Sequence, residues 1–137
     1  MINFSLSTPD DLPQIAEWIS ADPYHQHLGQ PEWWITGNGI LAFCLMDDVG
    51  PLTYVRLDDE GEYARIHIQF APEEVVSKRR LVVGLIRGLQ MVLSFIKDRG
   101  YKGLVFESVS PTLIAFFQKQ GFKPVGGTDY RLDFEGE

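Results

Sequence analysis

The chain has 137 residues, of which 45% are hydrophobic and 23% charged, and its formal net charge is −7. This composition is typical of a globular protein and excludes a disordered chain, and the length suits a single domain, which we assign to residues 1–137. The acidic balance opposes sequence-independent binding to nucleic acid or to an anionic membrane, so a neutral or cationic partner is expected.

Cysteine content and hydropathy indicate the cellular compartment of the protein. Cys44 is the single cysteine, so no intramolecular disulfide can form and a reducing compartment is expected. Charged residues interrupt every apolar stretch before the ~20 residues of a membrane span, and the first residues lack the features of a signal peptide. These observations predict a soluble, cytoplasmic protein.

The N-terminal half combines strand and helix patterns. Apolar and polar residues alternate from Ile2 to Leu6, which predicts a strand, and a Ser-Thr-Pro-Asp-Asp sequence then predicts a helix from Pro9 to about Ala21. The segment from Tyr24 to Asn38 is irregular. Three strands joined by two acidic turns follow, and they predict an antiparallel meander of Ile40–Met46, Leu52–Leu57 and Tyr63–Phe70.

The period of the apolar residues changes after Pro72. Apolar residues recur at helical spacing from Val82 to Ile96 and predict a long amphipathic helix that ends at Gly100. The remaining predicted elements are a short buried strand at Gly103–Glu107, a short helix at Pro111–Gln120 and a final hairpin of Phe122–Val125 and Tyr130–Phe134. This order predicts an α+β (mixed α/β) fold, with a mixed, largely antiparallel sheet of about six to seven strands flanked by helices.

The segment from Lys97 to Phe122 has a recognisable order of motifs. It contains Lys-Asp-Arg-Gly-Tyr-Lys at the end of the long helix, then Leu-Val-Phe-Glu-Ser, then Phe-Phe-Gln-Lys-Gln-Gly-Phe. In order and spacing it resembles the Gcn5-related N-acetyltransferase family, and the order of elements resembles the acyl-CoA N-acyltransferase fold over nearly the whole chain. The resemblance implies an acyl-CoA-dependent N-acyltransferase that transfers acetyl to a primary amine by direct attack in a ternary complex. A binding or regulatory module on the same fold, without catalysis, is the alternative.

The resemblance also implies a site for acetyl-CoA, or for another acyl-CoA, at the turn that opens the long helix. In that family, backbone N–H groups and the helix dipole at this turn face the cofactor pyrophosphate. Here the turn holds three of the twelve basic residues, while the family's glycine pattern is incomplete, with only Gly84 present. The implied cofactor-binding residues are Lys78, Arg79, Arg80, Leu81, Val82, Val83 and Gly84 at the pyrophosphate, Ile68, Gln69 and Phe70 at the pantetheine and thioester, and Ser110 and Phe117 beyond them.

Acetyl transfer needs a base for the amine and a proton donor for the leaving thiolate. The resemblance implies that the base lies in or beside the strand Tyr63–Phe70, where the candidates are Glu62 and His67, whose ordinary pKa is about 6.5. Alternatively, Glu62 is an ordinary charged residue of a turn, and His67 is an ordinary histidine on the polar face of the strand. The family's tyrosine acid corresponds to Phe117, which cannot donate a proton, so Ser108, Ser110 or water is the candidate donor unless the thiolate leaves unassisted.

The irregular segment is the candidate acceptor wall. His25, Trp33 and Trp34 lie where the resembled fold binds its acceptor, a small-molecule or protein amine, and paired tryptophans can cage a cationic or flat group. The same residues also fit a core, a homodimer contact or a docking site for a partner protein.

Two further groups of residues have side chains that suit ligand binding. The acidic turns Asp47-Asp48 and Asp58-Asp59-Glu60 either attract a cationic acceptor or simply keep the protein soluble. The spacing His25-x-His27 has no cysteine near it and is weak as a metal motif, so no metal is expected.

Overall fold

A computed structural model describes residues 2–23, 30–35 and 39–134, which form a seven-stranded sheet with helices on both faces. The strands are β1 Asn3–Leu6, β2 Gly39–Met46, β3 Pro51–Glu60, β4 Tyr63–Phe70, β5 Gly103–Glu107, β6 Lys123–Gly126 and β7 Asp129–Asp133. The α-helices are α1 Leu12–Ala21, α2 Lys78–Asp98 and α3 Pro111–Lys119, and single 3-10 turns cover Pro9–Asp11 and Pro31–Trp34. Within the described residues, no helix is both long enough and apolar enough to cross a membrane.

The strand order is β1-β2-β3-β4-β5-β7-β6. β4 and β5 pair in parallel, and the other neighbouring strands pair antiparallel. A parallel pair needs a long crossover, which α2 supplies between β4 and β5. The predicted α+β class, the mixed and largely antiparallel sheet, and the β2–β3–β4 meander are confirmed.

The end of β3 differs from the prediction. Asp58 and Asp59 were expected in a turn, but β3 continues to Glu60, and Asp58 pairs in register with Arg65 of β4. The hairpin closes at Gly61, whose φ of +81° suits glycine and whose N–H donates to the Asp59 carboxylate at 2.9 Å. Arg65 of β4 lies opposite Asp58 in the register and forms an ion pair with Glu60, which favours continuation of the strand.

Each face of the sheet has its own core. α2 and α3 cover one face, where the buried residues include Val55, Ile66 and Phe117. α1 and the turn Pro31–Trp34 cover part of the other face, with Trp18 among the buried residues there. Burying each such side chain stabilises the fold by roughly 1.5–3 kcal/mol.

A serine caps the N-terminus of each of the two helices, α2 and α3, that cover the first face of the sheet. The Ser77 hydroxyl accepts from the Arg80 N–H at 3.3 Å and caps α2, and the Ser110 hydroxyl accepts from the Leu113 N–H at 3.4 Å and caps α3. Such caps satisfy backbone donors that have no partner inside the helix. They fix the first turns of both helices at the end of the sheet where β4 and β5 finish.

Candidate functional site

β4 and β5 separate part-way along their length. Their parallel register runs from Tyr63 beside Gly103 to Ile66 beside Phe106, whereas β4 continues to Phe70. The chain after β5 stays with the neighbouring hairpin, because the Ser108 N–H donates to the Thr128 carbonyl at 3.1 Å. A gap therefore opens between the strands beyond Ile66, and we call it the β4–β5 wedge.

The register between β3 and β4 determines which backbone N–H groups of β4 are not bonded to β3. The Ala71 N–H donates to the Leu52 carbonyl at 3.1 Å, so in antiparallel pairing the alternate residues Gln69 and His67 also bond to β3. The N–H groups of the residues between them, Ile68 and Phe70, point the other way, into the wedge. Two backbone donors thus line the gap.

His67 is the first residue of β4 beyond the last position that pairs with β5. Its Nε2 lies 3.1 Å from Asp58 Oδ2, and its ring meets the Trp33 ring edge-on with centroids 4.8 Å apart. Burial lowers the pKa of His67 below its ordinary 6.5, and this outweighs the opposing effect of Asp58, which raises it. The imidazole is therefore neutral at pH 7; because a carboxylate only accepts, Nε2 carries the proton and Nδ1 has the free lone pair.

Arg56 and Asp58 hold the surroundings of His67 in place. Arg56 Nε lies 2.8 Å from Asp58 Oδ1, its guanidinium lies 4.2 Å from the centre of the Trp33 ring, and it also donates to the Trp33 carbonyl. Sequence reasoning placed Asp58 in an acidic turn and missed Arg56. The available signal was the charge of Arg56 in a strand that is otherwise largely apolar, directly opposite His67 in the hairpin register.

The basic residues at the start of α2 lie at the open end of the wedge, since only Ala71–Ser77 separates them from the end of β4. Lys78 and Arg79 are exposed. Arg80 is different, because its Nε and Nη2 each donate to the Asp47 carboxylate at 2.8 Å. This pairing holds the pKa of Asp47 well below its usual range, so Asp47 is neither a free turn charge nor an acceptor-attracting one.

Several solved structures share this architecture. The ribosomal-protein-S18-alanine N-acetyltransferase from Escherichia coli superposes with a TM-score of 0.71 at 17% identity, covering 100% of this chain and 97% of that chain. Aminoglycoside acetyltransferase AAC(6')-Ib in complex with coenzyme A gives 0.72 at 15% identity, covering 97% and 95%. A GNAT family acetyltransferase from Brucella melitensis in complex with acetyl-CoA gives 0.65 at 12% identity, covering 100% and 90%. The chain has the GNAT acetyltransferase fold. No protein-family model and no curated protein matches the sequence.

Within the GNAT fold of this chain, the two tryptophans have different surroundings. Trp33 is 38% exposed and borders His67, so it remains in the candidate acceptor wall. Trp34 is 5% exposed and packs in the core with Trp18, which corrects its assignment to the wall. His25 lies outside the described residues.

Glu62 lies at the closed end of the β4–β5 wedge. It precedes the first residue of β4, its side chain is 64% exposed, and it forms an ion pair with Lys102. At about 3.3 Å per residue, it is roughly 20 Å along the strand from Ile68. The expectation that Glu62 serves as the base is therefore not supported by its position, whereas His67 lies beside the opening.

Two hydroxyl groups follow β5 on the opposite side of the wedge. Ser108 Oγ accepts from the Ser110 N–H at 3.0 Å, and Ser110 Oγ caps α3. Each hydroxyl uses an oxygen lone pair in these bonds, which leaves its hydrogen as a donor. Phe117, one of the implied cofactor residues, is 1% exposed and stacks on Phe106 with centroids 3.9 Å apart. It is a core residue of this GNAT fold.

The glycine of the α2 turn faces the sheet. A Cβ built on Gly84 would lie 2.4 Å from Leu52 Cδ1, so the missing side chain allows close packing of helix and sheet rather than close approach of a phosphate. Leu81 and Val82 are half-buried, and Val83 is 49% exposed. The further glycine that the resemblance implies near Val83 is absent from the sequence.

The side chain of Gln69 is also directed away from the wedge. It is fully buried beneath α1, and its amide donates to Asp22 at 3.0 Å and to the Phe70 carbonyl at 3.2 Å. Gln69 was expected at the pantetheine and thioester, and its side chain is instead buried in the core. In residues 2–23, 30–35 and 39–134, no three histidine, cysteine or carboxylate side chains are grouped as a metal site would require.

Proposed function

We propose that this protein is an acyl-CoA-dependent N-acyltransferase that transfers acetyl from acetyl-CoA to a primary amine by direct attack in a ternary complex. The observation that carries the proposal is the position of His67, held by Asp58, at the mouth of a wedge lined by the N–H groups of Ile68 and Phe70. The coenzyme A and acetyl-CoA complexes among the structures of the same fold support an acyl-CoA in this wedge.

Acetyl-CoA supplies an activated thioester, and the chain supplies orientation and proton transfer. The backbone N–H groups of Ile68 and Phe70 hold the pantetheine and the thioester oxygen, which gains negative charge as the amine attacks. His67 Nδ1 takes the proton from the attacking nitrogen as the new C–N bond forms and the C–S bond breaks. Ser108 or Ser110 donates a hydrogen bond to the departing thiolate, in place of the absent tyrosine, and the thiolate takes its proton from water.

The acceptor is a small-molecule or protein amine. The net charge of −7 favours a cationic partner over nucleic acid or an anionic membrane. The exposed Trp33 ring beside His67 gives such an amine an apolar wall that also attracts cations. A single, buried Cys44 suits the reducing cytoplasm, where we place the reaction.

Calorimetric titration with acetyl-CoA tests the proposal, with desulfo-CoA and ATP as controls. We expect saturable binding of acetyl-CoA and, with a panel of primary amines, release of free thiol. Binding without thiol release from any amine would instead favour a regulatory module, for which Phe117 and the incomplete glycine pattern are the supporting observations. Absence of binding at millimolar acetyl-CoA would reject the acyltransferase proposal.

The two arginines at the start of α2 are expected to differ in their effect on acetyl-CoA binding. Arg79→Ala should weaken binding about fivefold to tenfold, because an exposed guanidinium near the helix N-terminus is free to contact the pyrophosphate. Arg80→Ala should weaken it less and lower the melting temperature more, because Arg80 is bonded to Asp47. Calorimetry and thermal unfolding measure the two effects.

Arg87→Ala is the matched control, since Arg87 is an exposed arginine farther along α2 and its replacement changes the net charge equally. If Arg87→Ala and Arg79→Ala weaken acetyl-CoA binding alike, the effect comes from overall charge and the pyrophosphate site is not at the start of α2.

A further inference from the structure

A small cavity lies beside the wedge, between the sheet and the helices α2 and α3. It has a volume of about 20 Å³, and its lining includes Ile66 and Ile68 of β4, Thr53 of β3, and Phe117 of α3. Ile68 belongs to the part of β4 that borders the wedge, so the cavity adjoins the place where the proposed function puts the thioester.

Thr53 is the polar residue of this otherwise apolar lining. Its side chain is fully buried, and among the described residues its hydroxyl has no hydrogen-bond partner. In the β3–β4 register Thr53 lies opposite Phe70, one diagonal step from Ile68 on the same face of the sheet. A buried hydroxyl without a partner is costly, so a group that arrives in the cavity with a polar atom gains that bond.

An ordered water is a poor occupant of this space. A cavity needs roughly 10–15 Å³ to hold a water molecule, and a buried water makes about three hydrogen bonds. The volume here is sufficient, but one hydroxyl gives a water a single partner among the lining side chains. A hydroxyl tethered through an acyl chain needs fewer bonds, because the rest of the ligand holds it in place.

We propose that the cavity receives the far end of the acyl group and that Thr53 selects a short acyl chain ending in a hydroxyl group, of the 3-hydroxypropionyl type. The volume accommodates about one or two heavy atoms beyond acetyl. This inference rests on the proposed function, because it uses the position of the thioester at Ile68. It goes further by naming the residue that distinguishes one acyl group from another.

The test compares 3-hydroxypropionyl-CoA with butyryl-CoA, which have the same chain length and differ by a hydroxyl in place of a methyl group. Calorimetry without an amine acceptor measures binding alone. We expect the wild type to bind 3-hydroxypropionyl-CoA about tenfold more tightly, because butyryl leaves the Thr53 hydroxyl unpaired. Equal affinity, or tighter binding of butyryl-CoA, would overturn the inference.

Thr53→Val makes the same exchange of hydroxyl for methyl within the protein and should reverse the preference toward butyryl-CoA. Thr53→Ser keeps the hydroxyl and should keep the preference for 3-hydroxypropionyl-CoA. Thr53→Val should also unfold at an equal or higher temperature without ligand, since it removes an unpaired buried hydroxyl. If Thr53→Val retains the wild-type ratio of affinities, Thr53 is not the selecting residue.

The two proposals fail in different ways. If neither acetyl-CoA nor the longer acyl-CoAs bind, the proposed function is wrong and the acyl selection is rejected with it. If acetyl-CoA binds and supports thiol release, but the wild type does not distinguish the matched pair, only the role of Thr53 is wrong.

Discussion

Replacing His67 with glutamine is expected to lower kcat for acetyl transfer by about 100-fold or more, the range in which a positioned general base contributes. Glutamine can still bond to Asp58, but it cannot take up a proton at pH 7. Acetyl-CoA affinity should change little, because the proposed contacts with the pantetheine come from the backbone of Ile68 and Phe70. Thiol release at saturating acetyl-CoA gives kcat, and calorimetry gives the affinity.

Glu62→Gln separates the two candidates that the sequence offered for the base. Glu62 is exposed at the closed end of the wedge and its ion pair with Lys102 lies at the surface, where such pairs contribute little. We expect the Glu62→Gln protein to retain most of its thiol release. A large loss in Glu62→Gln with normal turnover in His67→Gln would reverse the assignment.

The pH profile tests whether Asp58 acts through His67. Burial holds the pKa of His67 below 6.5 while Asp58 raises it, so the neutral base is lost, and activity falls, as the pH drops through this lowered pKa. Asp58→Asn removes the raising effect and should move this acidic limb to lower pH, with a reduced kcat. An arylamine acceptor stays neutral over this range, so the limb reports His67. A merely structural Asp58 would lower activity without moving the limb.

The same shift affects folding stability. Because the folded state holds the pKa of His67 below its unfolded value of about 6.5, the unfolded chain takes up the proton first as the pH falls. The contribution of neutral His67 to stability is therefore present above pH 6.5 and lost as the pH drops through the folded pKa. Unfolding curves measured across the pH range show at which pH values the protein is still folded. Thiol-release rates at those pH values report catalysis rather than unfolding.

Local sequence patterns predicted the strands that border the wedge, but not the wedge itself. β4 and β5 have the predicted bounds, Tyr63–Phe70 and Gly103–Glu107, because residue alternation and glycine or proline punctuation define them locally. The gap depends on which neighbour the chain follows after Phe106. The bond from Ser108 to Thr128 decides that, and it joins residues far apart in sequence.

Non-local partners also explain what sequence reasoning missed in the site. Arg80 was placed at the pyrophosphate, but its partner is Asp47 in the β2–β3 turn. Asp58 was placed in a turn, but it contacts His67 across the hairpin. Thr53 gives no signal in sequence, because a hydroxyl in an apolar strand shows neither its burial nor the lack of a partner. Such roles follow from strand register and helix position rather than from composition.

Phe117→Ala is expected to lower the free energy of unfolding by about 3–5 kcal/mol, the usual cost of deleting a fully buried phenylalanine. Phe117 is 1% exposed, stacks on Phe106 with centroids 3.9 Å apart and meets Phe122 edge-on with centroids 5.0 Å apart. The substitution would leave a cavity among these rings and enlarge the one that Thr53 lines. Urea unfolding of both proteins at equal pH measures the difference.

Phe116→Ala is the matched control, because Phe116 precedes Phe117 in α3 but is only half-buried. Its loss of stability should be clearly smaller, since less apolar surface returns to water. Equal losses would contradict the assignment of Phe117 to the core. If packing fixes the ring of Phe117 against Phe106, this position belongs to the core and not to the lining that contacts the cofactor.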